Sequence, residues 1–109
     1  MAAVEAINDA RRVGIPAISC FEVSRLAARG RMRLDRGSAA WIVQALGNPR
    51  VEVFDVNPEI AQAAGELDQK RFPGDPIDRL IYATAREVGA DLITADKRIR
   101  EFDPQRTIW

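Results

Sequence analysis

Short apolar runs alternate with helix-start signals along the whole chain, and that rhythm limits the fold more than any other feature. Ala2 to Val13 places Val4, Ile7, Ala10 and Arg11 at helical spacing, with Gly14 just past the predicted end. Ile15 to Ser19 reads as a short strand. Ser19-Cys20-Phe21-Glu22 then matches a capping box, opening a helix through Arg29 that Gly30 closes. After a loop from Arg31 to Gly37, Ser38 is the expected cap of a helix containing Trp41, Ile42, Ala45 and Leu46, broken by Asn48-Pro49. Val51 to Val56 alternates as a strand, and Asn57-Pro58 starts a helix to about Leu67. Gly74-Asp75-Pro76 is a strong helix start with Pro76 at the first helical position, and that helix ends at Gly89. Asp91 to Thr94 is a strand, Lys97 to Glu101 a last helical turn, and Arg106 to Trp109 a terminal strand. Strands and helices in this order predict a parallel, three-layer α/β fold with right-handed crossovers.

The chain has 109 residues, no repeats and no long linker, so residues 1–109 are expected to form a single domain. No apolar run approaches the ~20 residues of a membrane span, and the N-terminal residues lack the basic and apolar regions of a signal peptide. One cysteine, Cys20, rules out an internal disulfide framework and fits a reducing, cytoplasmic setting. Cys20 reads as a small buried apolar residue, and Phe21, Trp41, Tyr82 and Trp109 as core or interface residues.

Histidine is absent, which excludes a Ser-His-Asp triad, a Cys-His pair and any histidine-ligated zinc site. General-base chemistry must therefore come from carboxylates or metal-bound water. Net charge is zero, so a general electrostatic grip on nucleic acid is not indicated. The cations are nevertheless skewed towards arginine, with only Lys70 and Lys97 as lysines. Arg25, Arg29, Arg31, Arg33 and Arg36 crowd one segment, either as a solvated helix end and loop or as a phosphate-binding set.

Acids stand at three of the predicted junctions. Glu22 is the last residue of the Ser19 capping box, Asp75 precedes Pro76, Asp78 is the third residue of that helix, and Asp96 follows the strand ending at Thr94. Each has a local explanation: capping for Glu22, Asp75 and Asp96, and the helix dipole for Asp78. Together they fall on one expected edge of the sheet, in the crevice where open α/β sheets hold ligands. Carboxylates gathered there would repel one another unless a hard divalent cation screened them.

At these residues the chain resembles a known family. Pro16 to Val23, Gly30 to Asp35, Gly74-Asp75-Pro76-Ile77-Asp78-Arg79-Leu80-Ile81 and Leu92-Ile93-Thr94-Ala95-Asp96-Lys97-Arg98-Ile99 together are similar to PIN-domain proteins, most closely to VapC-type toxins of bacterial toxin–antitoxin systems. The resemblance runs through nearly the whole chain. It implies a Mg²⁺- or Mn²⁺-dependent endoribonuclease held inactive by a cognate antitoxin. Carried over by position, Glu22, Asp78 and Asp96 match the family's acidic site residues, as catalytic groups and metal ligands. Asp75, Thr94, Ser19 and Arg79 are supporting candidates.

The resemblance also implies a departure. The family begins with a central strand bearing an acidic residue, ahead of a helix like Ala2 to Val13, and this sequence opens at the helix. The resulting expectation is an N-terminally incomplete PIN domain with weakened activity and a tendency to dimerise. The alternative is a non-catalytic PIN remnant that binds an antitoxin or associates with itself.

Overall fold

A computed structural model describes residues Met1–Trp109. Six helices and four short strands follow in the order α1 (Ala2–Asp9), β1 (Val13–Pro16), α2 (Ala17–Ala28), α3 (Ser38–Leu46), β2 (Val51–Phe54), α4 (Pro58–Glu66), α5 (Pro76–Glu87), β3 (Leu92–Ile93), α6 (Lys97–Phe102) and β4 (Thr107–Ile108). The mixed α/β class with parallel strands is the one the sequence rhythm predicts. The strands form two parallel pairs, β1 with β2 and β3 with β4. The chain divides into two compact units, Arg11–Asp55 and the combination of Met1–Ala10 with Val56–Trp109.

In the Arg11–Asp55 unit, Val13 pairs with Val51, Ile15 with Val53 and Pro16 with Phe54. Two expected boundaries are corrected here. The first helix stops at Asp9, because Ala10 is already extended and Val13 to Pro16 is drawn into the ladder with β2. The strand expected over Ile15 to Ser19 ends at Pro16, and α2 begins at the next residue. Pro16 is itself the N-cap, with no side-chain cap hydrogen bond. Ser19 therefore lies inside the first turn of α2, and the expected Ser19–Glu22 capping box does not form. Ser38 is likewise the first helical residue of α3, with Gly37 at the cap position. Gly14 is needed for a close approach: a Cβ there would come 2.7 Å from the Phe54 ring.

No residue of this unit is fully buried. Cys20 and Trp41 are half-buried, and Phe21 is 53% and Val43 73% exposed, so Phe21 is not a core residue.

The second unit holds both apolar clusters. One face of α5 packs on α4, where Ala83 and Leu80 meet Ile60, Ala63 and Ala64. The small residues let the two helix backbones come close. On its other side Tyr82 joins Phe72, Ile99 and Phe102, with Leu67 and Leu92 alongside. The Phe72 and Tyr82 rings lie 5.3 Å apart, and Phe102 meets both edge-on at 5.3 and 5.7 Å. Such tilted and T-shaped contacts set the positive ring edge against the negative ring face. The Thr84 hydroxyl, fully buried, donates to the Leu80 carbonyl at 2.7 Å, so its polar atom is satisfied within the helix.

Helix α5 starts and ends as its sequence requires. Asp75 caps it, Pro76 fills the first turn, and Gly89 closes it at φ +71°. In that left-handed position the Gly89 amide donates to Arg86 and the Ala90 amide to Ala85, which satisfies the last carbonyls. Parallel pairing of Leu92 with Thr107 and Ile93 with Ile108 then carries the chain into the Thr94–Asp96 turn.

Candidate functional site

The acids of the second unit are held by backbone hydrogen bonds. The Asp78 amide donates to Asp75 Oδ1 at 2.8 Å, and the Asp75 amide donates to Asp78 Oδ2 at 3.3 Å. The pair is a reciprocal capping box that replaces the usual serine and glutamate with two aspartates. Gly74 makes it possible. A Cβ at that position would lie 2.5 Å from Asp78 Cβ and 2.8 Å from the Phe72 ring. The Gly-Asp-Pro-x-Asp motif is thus one folded device: a residue with no side chain to clash, a cap, a preset first turn and a returning carboxylate.

Asp96 is fixed in a similar way at the start of α6. Its Oδ1 accepts from the amides of Arg98 at 2.9 Å and Ile99 at 3.3 Å. Its own amide donates to Thr94 Oγ1 at 3.1 Å, so Thr94 acts as a local brace for the turn. Asp96 Oδ2 meets the Arg98 guanidinium at 3.2 Å. Arg98 is the residue that pattern reading missed as part of the site. The signal was its place two residues beyond the cap, where a long cation can fold back onto the carboxylate.

The two carboxylates differ electrostatically. Burial pushes the Asp78 carboxyl above its ordinary pKa, and the negative charges of Asp75 and Asp96 push it further in the same direction. The hydrogen bond from Arg98 holds Asp96 below the usual carboxylate value, with help from the two amides. Asp75, Asp78, Asp96 and Arg98 thus lie within electrostatic reach of one another.

The remaining candidates have other surroundings. Arg79 donates to the carbonyls of Ala64 at 3.2 Å, Leu67 at 3.0 Å and Asp68 at 3.4 Å, and its guanidinium lies 5.4 Å from the Phe72 ring centre. Those contacts tie down the C-terminal end of α4. Glu22 is half-buried in the second turn of α2, and Ser19 half-buried in the first; both belong to the Arg11–Asp55 unit. No group of three or more carboxylate or thiol side chains is gathered closely enough to hold a metal ion. No helix is long and apolar enough to cross a membrane.

Comparison with known proteins bears on the chain as a whole. The PIN domain family matches residues 1–104. Ribonuclease VapC22 of Mycobacterium tuberculosis is 40% identical over 111 residues, in an alignment covering 100% of this chain and 83% of the relative. With a match through all but the last residues and that degree of identity, the chain belongs to the PIN-domain family and is of the VapC type.

Proposed function

We propose that this chain is a metal-dependent endoribonuclease toxin, hydrolysing RNA phosphodiesters and held in check by a cognate antitoxin. The observation that carries the reading is geometric: the starts of α5 and α6 hold Asp75, Asp78 and Asp96 by backbone hydrogen bonds, near enough for the charges of Asp75 and Asp96 to act on Asp78. The name of the ribonuclease relative supports the substrate class.

The donor chemistry fits a hard cation, since every candidate is a carboxylate. Magnesium or manganese commonly needs only one or two protein carboxylates, the rest of its shell being water and substrate phosphate oxygens. Asp78 and Asp96 are therefore the proposed ligands, with Glu22 the further acid that the family resemblance implies. When bound, the cation would activate water and offset charge on the phosphate.

The side chains themselves divide the remaining work. Asp96 stays ionised, because Arg98 holds its charge. Asp78 Oδ2 is engaged by the Asp75 amide, which leaves Oδ1 as the oxygen that would meet the cation. Arg98 meets Asp96 through Nη2 alone, and its other N–H groups can reach a phosphodiester. Arg25, Arg29, Arg31 and Arg33, all exposed, give the Arg11–Asp55 unit a cationic surface of its own.

The test is cleavage of purified RNA by the isolated chain with Mg²⁺ or Mn²⁺, with chelator, and in Asp96→Asn. Cleavage that disappears in both controls supports the reading. RNA left intact by a folded chain that still captures a protein partner would make it a binding module instead. A homodimer belongs to the same proposal, checked by sedimentation of the chain alone.

A further inference from the structure

Beyond the acidic site, α6 and β4 enclose an open groove of about 560 Å³ that the proposed chemistry does not use. It is lined by Lys97, Arg100, Glu101, Pro104, Thr107 and Trp109. Its volume lies within the range of small-ligand sites.

Three features give the groove a chemical character. Trp109 is 48% exposed, so a wide part of the indole is open to solvent. Two cations, Lys97 and Arg100, share the groove with it. Arg100 Nε is buried with no hydrogen-bond partner, and its Nη2 makes only a long contact of 3.4 Å to the Ala95 carbonyl. With only that one long contact, the terminal N–H groups of the guanidinium are the ones an anion in the groove can meet. Lys97 is held only loosely, 3.8 Å from Glu101, with both side chains largely exposed. An anion can therefore take the ammonium at little cost, while the Glu101 carboxylate turns to accept from a base or ribose donor.

An open indole beside two cations is the pairing that proteins use for single-stranded nucleic acid, the ring stacking on a base and the cations meeting the backbone. We propose that this groove seats one nucleotide of single-stranded RNA, its base on Trp109 and its phosphate on Arg100 and Lys97. The proposal rests on the ribonuclease reading and adds a substrate-positioning subsite to it. Because Asp96 caps α6, the short helix that carries the two cations of the groove starts at a candidate catalytic carboxylate. A strand seated there would be led towards the acids.

The test is binding of a labelled, short oligouridine to the full chain in chelator, followed by fluorescence anisotropy, so that nothing is cut. Trp109→Ala and Arg100→Gln should each weaken binding by about tenfold, and Trp109→Phe should restore most of it. In a Trp41→Phe background the Trp109 emission should be quenched by oligouridine and much less by an abasic oligomer. Unchanged affinity in Trp109→Ala and Arg100→Gln overturns the subsite, while metal-dependent cleavage by those variants would leave the ribonuclease reading standing. Quenching by polyglutamate equal to that by RNA also overturns it, marking a seat for an acidic peptide. RNA that the parent chain neither binds nor cleaves overturns both proposals.

Discussion

Replacing Asp96 by asparagine and by alanine separates its two jobs. Its Oδ1 accepts from two amides at the start of α6, at 2.9 and 3.3 Å, and its Oδ2 meets an exposed arginine. Alanine removes both amide contacts, and losing an N-cap of this kind costs about 1 kcal/mol. Asparagine caps about as well as aspartate, and the solvent-exposed ion pair it gives up contributes little. With an unfolding entropy of about 2.1 cal/mol/K per residue, a chain of this length moves its Tm by roughly 4 °C for each kcal/mol. The alanine variant should therefore melt about 4 °C below the parent, and the asparagine variant within about 1 °C of it. RNA cleavage should fall by about a hundredfold or more in both, because both lose the carboxylate. Calorimetric melting paired with a gel assay of RNA cleavage on the same samples gives the answer. An asparagine variant that melts as low as the alanine one would refute the capping argument. One that cleaves like the parent would refute the role of the charge.

Three further outcomes follow from other parts of the second unit. Asp78→Asn should be more stable than the parent at neutral pH yet inactive, since burial and its acidic neighbours make ionised Asp78 unfavourable in the folded chain. Its raised folded pKa means the penalty is absent at low pH and grows as the pH rises through that value, so the stability gap seen in denaturant should close on acidification. Tyr82, the single tyrosine, donates to Asp103 Oδ2 at 2.6 Å, and its pKa is pushed up to about 12 by burial and that partner. A phenolate absorbance titration should find its midpoint there in the folded chain and near 10 in guanidinium, with stability kept below pH 10 and lost as the pH climbs towards 12. A folded-chain midpoint near 10 would contradict the buried hydrogen bond. Gly89→Ala should cost about 1 kcal/mol in chemical unfolding, from the left-handed backbone alone, because no atom lies within 4 Å of where the new methyl would sit.

What could be read from the sequence follows from how local each cause is. Both ends of α5 were legible because Gly74, Asp75, Pro76, Asp78 and Gly89 each act on backbone within a few residues. The start of α2 was not. Ile15-Pro16-Ala17-Ile18 is too short and too uniformly apolar for periodicity to tell strand from helix, and pairing of Val13 with Val51, far along the chain, decided it. That one displacement moved Ser19 and Glu22 inside the helix and removed the capping box assigned to them. The exposed positions of Phe21 and Trp109 were hidden for a related reason: an aromatic reads as core until the surfaces around it are known.

The acids show why a folding signal and the proposed functional signal coincide in this chain. Asp75 and Asp96 are recognisable because each caps a helix, and Asp78 because it stands in the first turn; all three carboxylates are fixed by hydrogen bonds to backbone rather than by side-chain packing. Asp78 held in this way has Oδ2 engaged and Oδ1 left over, while Asp96 has Oδ1 on two amides and Oδ2 on Arg98, so rigidity at these positions comes from the helix starts themselves. The cost is crowded negative charge, visible in the raised proton affinity of Asp78; Arg98 offsets it strongly at Asp96, through a hydrogen bond, and only weakly at Asp78. For stability alone asparagine would suit this position better than Asp78, since its amide oxygen can accept the same backbone hydrogen bond without the repulsion.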